Sequence, residues 1–249
     1  MSAVMDPAPD PLVLWHDLEC GGYHVDLPLW RELAEQAQGA VLDVGAGTGR
    51  ITLDLASRGV DVTALDLDPV LLDALRRRAT ERGLRVTTLT ADASSFTIPG
   101  ARFGLVIVPM QTLQLLPGPR ARAGFLRSAR AVLAAGGIVA VALADALDAF
   151  DAEHTEPPLP DMREIDGVVY ASRPISVRDL GDRVAIDRLR ETVDAGGRRT
   201  VVGNTVVLSV IDAAGLAAEA VALGYEPLVP RRVPQTDEYV GSQVVILRA

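Results

Sequence analysis

The chain has 249 residues, 49% of them apolar, enough to fill the core of one domain with additions. Its 33 acidic side chains outnumber 24 basic ones, and the net charge of −9 argues against nucleic acid as a partner, because phosphate binding needs a basic surface. One cysteine, Cys20, excludes an internal disulfide and a cysteine-cluster metal site, and no apolar run is long enough to span a membrane.

Residues 1–11 are rich in proline and aspartate and read as a disordered tail. They lack the basic start and apolar stretch of a signal peptide, so a cytoplasmic protein is expected. Leu12–Asp26 is too aromatic for a tail. Asp26 is placed to cap a helix over LPLWRELAEQAQ, with Pro28 in its first turn and Gly39 as its stop. Leu29, Trp30, Leu33 and Ala37 share one face of it. A strand is predicted over Ala40–Val44, then a helix over Thr48–Arg58 that Gly59 ends. The second strand is Val60–Leu65, with Asp66 at its carboxyl end. Asp68 and Pro69 open the next helix, Leu71, Leu72 and Leu75 line its inner face, and Gly83 closes it. Leu84–Thr90, Phe103–Val108 and Ile138–Leu143 read as further strands, with a helix over 119–133 before the last. Strands alternating with helices mean a parallel sheet with crossover helices.

The alternation then stops. Asp145–Asp161 is acidic and proline-rich, as in a loop or lid. Four β-type runs follow without helices between them: Gly167–Ala171, Ile175–Arg178, Arg183–Val193 and Thr200–Leu208. They are expected to be antiparallel, with turns at Gly181-Asp182 and Gly196-Gly197. A helix over 210–222, closed by Gly224, and strands Glu226–Val229 and Gln243–Leu247 return the chain to the first sheet.

The most informative stretch is Val41–Arg50, VLDVGAGTGR. A short apolar strand carries an acid, Asp43, then glycines at 45, 47 and 49, then a helix start. Such a turn brings backbone close to a ligand, under the free N–H groups of a helix N-terminus. The spacing is G-x-G-x-G, and Arg50 stands where the dinucleotide fingerprint would have its third glycine. Asp43 would repel a pyrophosphate and suit a ligand bearing an ammonium or sulfonium group.

VLDVGAGTGR resembles motif I of the class I S-adenosylmethionine (SAM)-dependent methyltransferases. The layout is similar too: a doubly wound, seven-stranded Rossmann-like sheet, the last strand antiparallel, with an antiparallel β lid inserted after the fifth strand. The resemblance divides the chain into an N-terminal lid segment, 1–38, a cofactor-binding core, 39–144 with 207–249, and a β insertion, 145–206, for substrate or dimer contacts. In a doubly wound sheet the ligand lies beyond the carboxyl ends of the strands. This selects Asp43, Gly45, Ala46, Gly47, Thr48 and Gly49 after the first strand, and Asp66 and Leu67 after the second. It also selects Asp92 and Ala93 after the third strand and Pro109, Met110 and Gln111 after the fourth. Asp66 suits two vicinal ribose hydroxyls, and Asp92 an exocyclic adenine amine. NAD binding is the runner-up; only the acid after the second strand favours it. Aminopropyl transfer lacks a paired-acid polyamine site.

The acceptor must be chosen by whatever covers the cofactor. Three stretches are placed for this: the segment with Trp15, His16, Tyr23 and His24; VPMQTLQLL, 108–116; and PRRVPQTDEY, 230–239, where Arg231 and Arg232 could pair an acidic acceptor. WHDLECGGYHVDLPLW and VPMQTLQLL are similar to runs in one bacterial subgroup that methylates small metabolites or peptides. Trp15 then His16 stand where that subgroup has Tyr, Cys20 replaces a Tyr, and Leu115 replaces a His. Tyr23, His24 and Gln114 are the candidate catalytic residues, to orient the acceptor or take its proton. Gln111 and Gln114 would share a face if their stretch is helical. The histidines, His16, His24 and His154, are scattered, so no metal is expected. The expected activity is methyl transfer to an amine or hydroxyl of a small molecule or peptide. The alternative is a non-catalytic SAM-binding module acting through its β insertion, and a homodimer is possible through that insertion.

Overall fold

The computed structural model describes residues 10–144, 150–153, 158–236 and 239–249; the proline-rich start, His154 and most of the acidic loop lie outside the described residues. Helix α1, Pro11–Cys20, is capped by Asp10, whose carboxylate accepts from Leu12 N at 2.9 Å. Helix α2 is Leu27–Gln36. Then come β1 (Ala40–Val44), α3 (Arg50–Ser57), β2 (Val62–Asp66), α4 (Pro69–Glu81), β3 (Thr87–Thr90), β4 (Phe103–Val108), a 3-10 turn (Thr112–Leu115), α5 (Gly118–Val132) and β5 (Leu133–Ala144). Strands β6 (Phe150–Asp151), β7 (Asp161–Ile165), β8 (Val168–Asp179), β9 (Arg183–Val193) and β10 (Arg199–Ser209) follow. The chain ends with α6 (Ala213–Val221), β11 (Glu226–Pro227), β12 (Arg231–Val233) and β13 (Ser242–Arg248).

The first sheet runs β11-β13-β5-β4-β1-β2-β3, with β12 also on β13. β3, β2, β1, β4 and β5 are parallel, and β13 is antiparallel to β5. It has eight strands where seven are predicted, because the short β12 folds back onto β13. Alternate residues of β1 feed opposite cores. Val41 meets Trp30 and Leu33 of α2 and Ile51 and Leu55 of α3. Leu42 and Val44 meet Phe125 and Leu126 of α5 and Leu216 of α6. Trp30 and Phe125 are wholly buried, each worth roughly 1.5–3 kcal/mol in area removed from water.

The second sheet is β10-β9-β8-β6, with β7 on β8, all antiparallel. The predicted runs Gly167–Ala171 and Ile175–Arg178 are one strand, β8, whose register shifts between Pro174 and Ser176. Proline has no N–H for the ladder, so a sequence reader breaks the strand where the structure only bulges it.

Helix α1 holds the two sheets together. Asp17 takes a paired hydrogen bond from Arg78 of α4, and Thr48 Oγ1 donates to it at 2.7 Å. Two residues on, Glu19 accepts from Arg190 on β9 at 2.8 Å through each oxygen and from Ser172 of β8 at 2.7 Å. Trp15 meets Tyr170 edge to face and lies under the Arg190 guanidinium.

The Asp26 cap needs correcting. Asp26 stands at the helix start but makes no capping bond. Its carboxylate instead accepts from Arg50 Nη1 at 2.6 Å, Arg50 Nη2 at 2.8 Å and Trp30 Nε1 at 2.7 Å. A buried carboxylate takes a full positive charge in preference to a backbone N–H. Arg50 thereby ties the helix after the glycine turn to α2.

Candidate functional site

Strand order reverses between β1 and β4, and a cavity of about 580 Å³ opens there, past the strands' carboxyl ends. Its floor is the turn after β1. Gly45 and Gly47 have φ of +72° and +54°, a region that L side chains rarely enter. Space forbids them as well: a Cβ on Gly45 would lie 2.3 Å from Thr112 Cγ2, and one on Gly47 2.3 Å from His16 Nε2.

Asp43 sits beneath this turn, 1% exposed. Its Oδ2 accepts from Thr52 Oγ1 at 2.6 Å, while Oδ1 is enclosed and has no partner among the described residues. Burial pushes its pKa up to about 6, against the hydrogen bond from Thr52. A carboxylate at the cavity wall with one oxygen lacking a donor fits the ammonium of SAM. Asp66 faces the same cavity from β2, accepting from Gly47 N at 2.7 Å and Asp68 N at 2.9 Å. Each of its oxygens keeps a lone pair for a ribose hydroxyl. Leu67, 70% exposed, is an apolar rim beside it. Asp92 is exposed at the far end, bonded to Ser94 N at 2.7 Å, with Ala93 alongside. Pro109, Met110 and Gln111 form the wall after β4, and Met110 has φ of +53°. Ala46 and Thr48 also line the cavity; Gly47 and Gly49 shape the turn from under His16 and Leu75.

Tyr23, His24 and Gln114 are not among the residues that line the cavity. Tyr23 is 5% exposed and outside the lining, its ring tilted against Tyr239 and under the Arg50 guanidinium. Burial pushes its hydroxyl pKa up, the wrong direction for a base. His24 is exposed in the turn before α2. Gln114 is buried, and its Oε1 accepts from Ala144 N at 2.9 Å, so it pins the end of β5. The stretch is a 3-10 turn, in which Gln111 reaches the cavity and Gln114 does not. Arg231 pairs with Glu32 of α2 through two bonds of 2.8 Å, which accounts for its charge without an acceptor.

The cavity takes its other walls from α1 and the second sheet. His16 belongs to a stretch that the sequence places over the cofactor; Glu19 and Cys20 from α1, and Ile186, Arg188, Val206 and Leu208 from the second sheet, are not selected by sequence reasoning. The i, i+2 spacing of the sheet residues puts them on one face of β9 and β10, but nothing local says that this face meets the glycine turn. Burial pushes the Cys20 thiol up to about 11, so it stays protonated. Among the described residues no cluster of three or more His, Cys, Asp or Glu is placed to hold a metal, and no helix is long and apolar enough to cross a membrane.

Asp43 sets an expected pH dependence. Its pKa of about 6 lies above the ordinary carboxylate value, so the anion is lost as pH falls through about 6. A ligand ammonium favours the anion, so affinity for S-adenosylhomocysteine is expected to be level above neutrality and to fall below about pH 6. Calorimetric titrations between about pH 5 and pH 8 read this, and Asp43→Asn should flatten the curve; an unchanged slope in that variant would remove Asp43 from the cofactor site.

Known proteins share this sequence pattern and fold. Residues 41–137 match the family described as methyltransferase domain. A demethylmenaquinone methyltransferase of Thermus thermophilus is 37% identical over 86 residues, covering 32% of this chain. That match spans only 39% of the relative's length. The sugar N-methyltransferase KedS8 from Streptoalloteichus superposes with a TM-score of 0.72 at 19% identity, covering 100% of this chain and 97% of the other. The glycopeptide N-methyltransferase MtfA, crystallised with S-adenosylhomocysteine, gives a TM-score of 0.61 at 25% identity, covering 89% and 86%. With their glycine turn and their place in the sheet, residues 41–137 form a methyltransferase domain of the class I S-adenosylmethionine-dependent type, and SAM is the cofactor that this type uses.

Proposed function

We propose that the protein methylates an amine of a small molecule or peptide, with a hydroxyl as the second acceptor class. SAM supplies the sulfonium methyl. The observation that carries the reading is the shared cavity, which joins the glycine turn to the inner face of the second sheet. The Ile186, Val206 and Leu208 side chains offer the acceptor an apolar wall, and Arg188 stands among them.

Charge favours the amine. Asp43, Asp66 and Asp92 line the cavity, and Glu19, also there, is neutralised from outside it by Arg190. The two arginines there are neutralised from outside it, Arg50 by Asp26 and Arg188 by Asp161 at 2.8 Å. The remaining field is negative and attracts a basic acceptor. The likeness to KedS8 and MtfA, both N-methyltransferases, supports the same choice. An amine attacks in its neutral form and needs only positioning and an outlet for its proton, whereas a hydroxyl needs a base. Leu115, which lines the cavity where the resembling subgroup has a histidine, also speaks for an acceptor that needs no strong base.

The test is transfer of a labelled methyl group from SAM to a panel of amines and hydroxyl compounds. Label on an amine supports the reading. Cofactor binding with no transfer to any acceptor would favour the non-catalytic binder.

The cofactor residues are tested apart from the acceptor. Asp66→Ala is expected to weaken S-adenosylhomocysteine binding about a hundredfold, through the loss of charge-assisted bonds worth roughly 1.5–3 kcal/mol each. Tyr23→Phe should change the affinity less than about twofold, since the ring packs away from the cavity. Equal losses in the two variants would mean that the cofactor lies elsewhere.

A further inference from the structure

Helix α1 brings one histidine into the cavity, and the hydrogen bonds around it decide which ring nitrogen holds the proton. The His16 ring lies on Gly47, where a Cβ would meet Nε2 at 2.3 Å and Cε1 at 2.4 Å. The ring lines the cavity with Thr48 and Asp66. Its Nδ1 is 3.3 Å from Thr48 Oγ1. The single hydroxyl proton of Thr48 goes to Asp17 Oδ1 at 2.7 Å. Burial alone would raise the Asp17 pKa, but hydrogen bonds from Arg78 and Thr48 bring it below the ordinary value, so Asp17 is ionised and donates nothing. Thr48 therefore has only a lone pair to offer His16. Nδ1 carries the imidazole proton, and Nε2 keeps its lone pair. No protein donor reaches Nε2 among the described residues, and it is not among the enclosed unpartnered atoms. Burial lowers the pKa of the ring; Asp17, Asp66 and Glu19 oppose this and Arg78 adds to it, so the ring is neutral at neutral pH.

We propose that His16 Nε2 accepts a hydrogen bond from the bound cofactor, which makes α1 a cofactor-contacting element. The inference rests on the cofactor assignment. The chemistry required is an N–H or O–H donor over the glycine turn. SAM offers two, its ammonium and a ribose hydroxyl, beside the unpartnered oxygen of Asp43 and beside Asp66 respectively. A protonated ring would present N–H groups to both donors and lose the bond.

Calorimetric titration of the wild type and His16→Phe with S-adenosylhomocysteine and with 5′-methylthioadenosine tests this. Phenylalanine keeps a ring on Gly47 and removes the lone pair. S-adenosylhomocysteine should bind His16→Phe about tenfold more weakly than the wild type. Methylthioadenosine has the ribose and lacks the ammonium. An equal loss with it assigns the ribose hydroxyl as donor, and no loss assigns the ammonium. An unchanged S-adenosylhomocysteine affinity overturns the inference. Failure of the wild type itself to bind would overturn the cofactor assignment, a separate result. If His16→Phe does not fold, nitrogen NMR of the histidine rings in the intact protein decides. The expected spectrum shows His16 protonated on Nδ1, with its Nε2 signal moving when S-adenosylhomocysteine is added; a stationary Nε2 overturns the inference.

Discussion

Gly47→Val is expected to abolish measurable S-adenosylhomocysteine binding, a loss of at least about a thousandfold. Three effects add. A β-branched residue at φ +54° is strained by roughly 1–2 kcal/mol. Its Cβ would occupy the place of the His16 ring, 2.3 Å from Nε2. Moving Gly47 also disturbs its N–H, which holds Asp66 Oδ2 at 2.7 Å and so aims that carboxylate. Floor, roof and ribose acid fail together, which is why this exceeds the loss from Asp66→Ala. Calorimetry reads the affinity, and circular dichroism checks that the fold survives. Binding within tenfold of wild type would show that the ligand does not lie over this turn.

Asp26→Ala is expected to cost about 3–5 kcal/mol of stability, the largest effect away from the cavity. The Arg50 side chain is 11% exposed, and removing Asp26 leaves its charge without a counter-ion, held only by the Tyr23 carbonyl, which accepts from Nη1 at 2.6 Å. Trp30 Nε1, fully inside, loses its acceptor as well. Urea unfolding measures the change. Replacing both partners by Leu should recover most of it, because the penalty lies in the stranded charge rather than in the missing attraction. A loss below about 1 kcal/mol would mean that water reaches Arg50.

The parts of the fold legible in the sequence are those specified locally. β1, β4 and β9 begin and end where expected, at Ala40–Val44, Phe103–Val108 and Arg183–Val193. The first two are apolar runs buried on both faces, and the third is bounded by turn residues. The glycine turn was equally plain, since its spacing and its acid act within ten residues of chain. Helix α1 was not, although Asp10 and Pro11 mark its start. Its Trp15, His16, Asp17 and Glu19 serve partners far along the chain and blur the apolar stripe. Asp26 shows the same limit from the other side: the position was right and the partner wrong, because a helix cap is a local inference and Arg50 is not a local partner. Gln114 stands out in the sequence as a polar group in an apolar stretch, and Tyr23 as a hydroxyl in a segment placed over the cofactor. The first marks a buried hydrogen bond to β5 and the second ring packing.

The ten-residue helix α1 has one further consequence. Asp17 binds it to the glycine-turn side, and Glu19, two residues on, to the second sheet. Were a cofactor on one side and an acceptor on the other both to bear on α1, their affinities would be linked, and by the same factor in each direction. The enzyme would favour the doubly loaded state over either singly loaded one. Loss of the methyl group and of one ligand would loosen its grip on the other.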